Sequence, residues 1–97
     1  MNSNSQILPL VSVYMPSKNR GPMLSRAIDS VLAQTYANVE LVIVDDGSTD
    51  DTPALLADYQ RRFTNVRYYR NETSNGVAAA RNEAIKACHG EYIAGLD

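Results

Sequence analysis

A chain of 97 residues, 44% of them hydrophobic, has room for one small domain and enough apolar surface to exclude a disordered polypeptide. Its net charge of −2 gives no general electrostatic footprint for nucleic acid or an anionic membrane surface. The single cysteine, Cys88, excludes an internal disulfide and a cysteine-cluster metal site, and it fits a reducing compartment.

Residues 1–8 are expected to form a disordered tail, since Met1 to Gln6 is polar and lacks the basic-then-apolar pattern of a signal segment. No apolar run approaches the ~20 residues that span a bilayer. Leu10 to Met15 reads as a first strand, ended by Pro16. From Pro22 onward, Leu24, Ala27, Ile28, Val31 and Leu32 follow the helical repeat. Leu41 to Val44 is an unbroken aliphatic run, as expected of a strand buried on both faces inside a parallel sheet. A second helix starts among Thr49 to Pro53, with Leu55, Leu56, Tyr59 and Phe63 on its inner face. Val66 to Arg70 is a shorter strand, and Asn71 to Gly76 a turn-rich loop. Val77, Ala80, Ala84, Ile85 and Cys88 line a third helix, with Gly90 as its stop, and Glu91 to Leu96 is a fourth strand. The basic residues Arg61, Arg62, Arg67 and Arg70 read as a solvated helix end and strand flank, and His89 as a surface residue favoured by the helix dipole.

The order β-α-β-α-β-α-β predicts an α/β fold: a Rossmann-like parallel sheet with right-handed crossovers and helices on both faces. Because the chain stops on Asp97, just after its fourth strand, it is expected to be a truncated domain with an uncovered sheet edge, which favours association into a homo-oligomer.

In a parallel sheet the loops that follow the strands gather on one rim, where open α/β sheets bind their ligands. Here that rim collects Pro16-Ser17-Lys18-Asn19-Arg20, Asp45-Asp46-Gly47-Ser48, the Asn71–Gly76 loop and Asp97. A dehydrogenase would need a glycine-rich turn after the first strand, and P-S-K-N-R is not one. No phosphate-binding loop of the G-x-x-x-x-G-K-[ST] type occurs either.

The residues instead resemble the nucleotide-binding half of a family 2 glycosyltransferase with the GT-A fold. Four segments carry the resemblance, in the family's order, across residues 10–97. L-V-S-V-Y-M-P-S-K-N-R (Leu10 to Arg20) resembles the opening strand and its Pro-[Thr/Ser]-x-Asn loop. Glu40 to Thr52 is similar to the hallmark strand followed by Asp-Asp-Gly-Ser-x-Asp. Asn75 to Ala84 resembles Asn-x-Gly-x-x-x-Ala-Arg-Asn, one residue shorter between Asn and Gly. Gly90 to Asp97 resembles the strand that delivers Asp-x-Asp, of which only the first aspartate, Asp97, is present.

The resemblance implies transfer of a glycosyl group from a nucleotide-sugar donor, a UDP-sugar, to an acceptor hydroxyl with inversion. It makes residues 9–97 a partial domain for donor binding and leaves the acceptor-binding half, with its general base, beyond residue 97. Nucleotide-sugar contacts are then expected from Pro16, Ser17, Asn19, Asp45, Asp46, Gly47, Ser48, Gly76, Arg81 and Asn82. Asp46 takes the base edge, where a carboxylate accepts from a pyrimidine N3–H, and Asp45 bonds the loop backbone or the ribose. Lys18 stands where some members stack an aromatic on the base, and is expected to face solvent or phosphate. Asp97 is the expected ligand of a divalent metal, Mn²⁺ or Mg²⁺, held weakly or not at all by this segment alone. The implied acceptor is a glycan or a lipid-linked sugar. The implied location is the cytoplasm, with the longer enzyme peripheral at the inner face of the membrane. A nucleotidyltransferase-like protein and a non-catalytic nucleotide-binding or interaction module are the alternatives.

Overall fold

The computed structural model describes residues 8–34 and 36–96. Residues 1–7 of the expected tail and Asp97 lie outside them, whereas the carbonyls of Leu8 and Pro9 accept hydrogen bonds from Asn38 Nδ2 (2.7 Å) and Tyr36 Oη (2.5 Å). The elements are β1 (Val11–Ser17), α1 (Gly21–Leu32), β2 (Val39–Asp46), α2 (Thr52–Arg62), β3 (Val66–Asn71), α3 (Val77–Ala87) and β4 (Tyr92–Gly95). All pairings are parallel and the strand order is β3-β2-β1-β4. The expected α/β architecture is thus the observed one.

Side-chain alternation along β1 and β2 divides the core between the two faces of the sheet. Val13, Met15, Leu41 and Ile43 pack with Leu24, Ile28 and Val31 of α1 and with Leu56 and Tyr59 of α2. Val42 and Val44 face Ala80 and Ala84 of α3, and Cys88 packs at the border of this second cluster. Alanines on the contact face of α3 let the helix approach the sheet closely. Every residue of β2 is buried, so its four central aliphatic side chains serve both faces at once.

Three local expectations are revised. Pro16 does not end β1, which continues to Ser17 with Pro16 opposite Val44. The Tyr14 carbonyl accepts from Leu96 N, so alternation turns the Pro16 nitrogen toward the β4 side, beyond the last paired residue of that strand. The missing donor therefore breaks no ladder bond. Gly90 does not cap α3, whose C-cap is Cys88 in an extended conformation. A Cβ at Gly90 would lie 2.7 Å from the Leu10 carbonyl oxygen and the Ser12 nitrogen, so glycine is required there for close approach to β1.

The third revision concerns the arginines. Arg61 and Arg62 do pair with Asp58 on the exposed face of α2. Arg67, by contrast, reaches across the sheet to Glu40, with Nη2 at 2.8 Å from Oε1 and 2.5 Å from the Ala87 carbonyl. Glu40 is only 8% exposed and also accepts from Ser12 Oγ at 2.5 Å and from His89 N at 2.6 Å. Burial alone would raise its pKa, but these donors and the Arg67 charge bring it below the usual value. One carboxylate thus joins β1, β2, β3 and the α3–β4 turn at the end of the sheet opposite the ligand rim. Glu40→Ala should lower unfolding free energy by about 3 kcal/mol, because it strands a half-buried guanidinium and a buried hydroxyl. Urea denaturation measures this; a loss below about 1 kcal/mol would contradict the assignment.

Candidate nucleotide site

Alternation along β2 sends its two terminal carboxylates to opposite faces. Asp45 continues the side of Leu41 and Ile43, and Asp46 that of Val42 and Val44. Asp45 is fully enclosed: it accepts from the Ser48 hydroxyl, and its Oδ2 lies 3.7 Å from Arg70 Nε. Arg70, opposite Asp45 in the strand register, also donates to the Ser48 carbonyl at 3.0 Å. Ser48 Oγ in turn accepts from Asn19 N at 2.8 Å. Asn19 returns the connection, its Oδ1 accepting from Thr49 N (2.8 Å) and Asp50 N (3.3 Å). Its φ of 52° is left-handed, a conformation asparagine tolerates better than most residues. Together these bonds fasten the loop after β1 to the loop after β2.

Asp46, 4% exposed, faces the loop after β3. Its carboxylate accepts from Ser74 Oγ (2.7 Å), Asn75 N (2.8 Å), Gly76 N (2.9 Å) and Asn71 Nδ2 (3.3 Å). Burial would raise the Asp46 pKa, yet the donors from Asn75, Ser74, Asn71 and Gly76 outweigh it and lower the value to about 2. Two glycines allow the loops to meet. Gly47 has φ 77°, and a Cβ there would sit 2.8 Å from Ser74 N; Gly76 has φ 97° and precedes α3.

These loops enclose a cleft of about 290 Å³ lined by Pro16, Ser17, Lys18, Arg20, Asp46, Ser74, Gly76, Val77 and Ala80. Of the residues expected to contact a nucleotide sugar, Pro16, Ser17, Asp46 and Gly76 therefore come together at its wall. Asn19, Asp45, Gly47 and Ser48 support that wall from behind. Arg81 is half-buried and Asn82 exposed, both on α3 and outside the lining. Lys18 and Arg20 are exposed at the mouth. Sequence reasoning placed the Asn71–Gly76 loop on the rim but did not single out Ser74 or Asn71, whose bonds to Asp46 appear only once β3 is set beside β2. Among the described residues no three His, Cys, Asp or Glu side chains converge on a potential metal position. No helix among them is long and apolar enough to cross a membrane.

Comparison with known proteins gives the cleft a context. The chain is 43% identical over 88 residues to UDP-Glc:alpha-D-GlcNAc-diphosphoundecaprenol beta-1,3-glucosyltransferase WfgD of Escherichia coli, an alignment covering 91% of this chain and 34% of the relative. In structure it is similar to the mannosyltransferase PcManGT from Pyrobaculum calidifontis in complex with GDP-Man and Mn²⁺ (TM-score 0.80, 27% identity, 90% of this chain and 26% of the other). It is also similar to S. aureus TarS 1-349 in complex with UDP-GlcNAc (TM-score 0.82, 30% identity, 91% of this chain and 26% of the other). The chain spans about a third or less of the length of these proteins. The model of glycosyl transferase family 2 matches residues 12–97, and the chain belongs to that family.

Proposed function

We propose that this chain is the donor-binding part of an enzyme that transfers a glycosyl group from a nucleotide sugar, a UDP-sugar, to an acceptor hydroxyl with inversion. The observation that carries the reading is a carboxylate held ionised on the wall of the rim cleft, Asp46 with its pKa near 2. An ionised carboxylate only accepts hydrogen bonds, which suits a base edge presenting N–H. The cleft, about 290 Å³, is at the low end of the range for small-molecule sites. It takes the base and ribose, while the diphosphate extends toward the mouth.

In this reading Pro16 and Ser17 form the wall beside the base, and Gly76 allows close backbone approach. Asn19, Asp45, Gly47 and Ser48 hold the wall in place. Lys18 and Arg20 bring positive charge to the diphosphate side. Arg81 and Asn82 act from α3, by buttressing the loops rather than through the cleft lining.

Mn²⁺ and Mg²⁺ bind through one or two carboxylates together with substrate phosphates. Asp97, outside the described residues, is assigned as one such carboxylate. A bound Mn²⁺ or Mg²⁺ would neutralise charge on the departing nucleoside diphosphate. The acceptor, a glycan or lipid-linked sugar, and the general base belong to sequence beyond this segment. We place the protein in the cytoplasm, peripheral at the membrane in its longer form.

Calorimetric titration with UDP should show binding by the folded chain, and Asp46→Asn should weaken it at least about tenfold, the cost of a lost charge-assisted bond. Unchanged affinity in that variant would remove Asp46 from the base edge. Acid titration supplies an independent check. Because the folded-state pKa of Asp46 lies below its unfolded value of 3.8, its stabilising contribution is fully present above pH 4 and disappears as pH falls toward 2. Thermal melts should show that decline, and Asp46→Asn should flatten it across the same interval.

A further inference from the structure

We propose that the Ser74 hydroxyl sets nucleotide affinity by competing with the base for Asp46. The inference rests on the base-edge assignment made under Proposed function. An ionised carboxylate offers about four lone-pair positions. In this structure all are engaged: Oδ1 by Asn75 N (2.8 Å) and Asn71 Nδ2 (3.3 Å), Oδ2 by Ser74 Oγ (2.7 Å) and Gly76 N (2.9 Å). An arriving base N–H must displace one of these four donors.

The four are not equally replaceable. The amides of Asn75 and Gly76 belong to the turn that opens α3, and the Gly76 carbonyl accepts the first helical bond, from Ala80 N at 3.0 Å. Moving either amide away would disturb the start of the helix. Asn71 lies outside the cleft lining, and its amide group is also held by Glu83 Oε1 at 2.8 Å. Ser74 lines the cleft, is exposed, and can turn its hydroxyl into water by rotation about one side-chain bond. It is therefore the partner that a ligand entering from the cleft meets and displaces. Breaking its bond to an ionised oxygen subtracts from the affinity the base would otherwise gain.

The test is calorimetric titration of the 97-residue chain with UDP and with CDP, alongside Ser74→Ala, Ser74→Thr and Asp46→Asn. Removing the competitor should tighten UDP binding about tenfold in Ser74→Ala, whereas Ser74→Thr, which keeps the hydroxyl, should match the parent. CDP should gain less than UDP, because its ring N3 is an acceptor and only its N4 amine, displaced from the N3 position, can donate to a carboxylate. If Ser74 merely braced the loop, Ser74→Ala would bind UDP more weakly. Weaker or unchanged binding in folded Ser74→Ala overturns the proposal. Should circular dichroism show that the alanine variant is unfolded, Ser74→Cys, with its weak donor, is read against the same expectation. If Asp46→Asn binds UDP as well as the parent, the base-edge assignment fails and the competition with it. If Asp46→Asn loses binding while Ser74→Ala gains none, only the competition is overturned.

Discussion

A strand buried on both faces must find partners for any charge it carries, and β2 carries three carboxylates. Glu40 stands at one end, Asp45 and Asp46 at the other, and none is more than 8% exposed. Leaving an ionised carboxylate without donors in such surroundings costs several kcal/mol. The partners that prevent this come from β1, from β3 and from the loops around them. Ser12, Arg67 and the His89 amide gather around Glu40; Ser48 and Arg70 around Asp45; Asn71 to Gly76 around Asp46. Hydrophobic packing brings α1, α2 and α3 onto the sheet. The acids of β2 determine which loop lies against which strand end.

The two ends of β2 put this constraint to different uses. At Glu40 the partners are strand and turn groups on the end away from the rim, and the result is a polar fastening. At the other end the period of two separates neighbouring acids. Asp45 turns toward the α1–α2 face and is sealed by Arg70, while Asp46 turns toward α3 and reaches the cleft. The adjacent aspartates of a family hallmark thus divide the work, one holding the loop and the other facing the ligand space. Asp45 has no access to solvent, and Asp46, with its lowered pKa, is ionised near neutral pH.

Much of this was legible in the residues. The Leu41–Val44 run announced a doubly covered strand, the helical repeats of α1 and α2 announced their inner faces, and parallel topology gathered the right loops on one rim. What stayed hidden depended on contacts between residues distant in sequence. Pro16 reads as a terminator until its nitrogen is known to face the short side of β4. Gly90 reads as a helix stop until β1 is found pressed against it. Arg67 and Arg70 read as solvated until the register sets them beside buried acids, 27 residues away in the case of Glu40. Ser74 lies in a loop with no periodicity, and only the tertiary structure places it on Asp46.

Asn19 carries a consequence of its own. Its amide and its side-chain carbonyl bind three groups of the β2 loop, and its left-handed backbone holds that geometry. Loops free to wander would lose conformational entropy on closing around a ligand, a cost of about 1–2 kcal/mol for each backbone residue ordered. Here that ordering accompanies folding, so one side of the cleft meets its ligand already shaped. The opposite wall, where α3 begins, is joined to this frame through Asp46. The cleft therefore has one side shaped by folding and, under the proposed competition at Asp46, another that exchanges its hydrogen bonds.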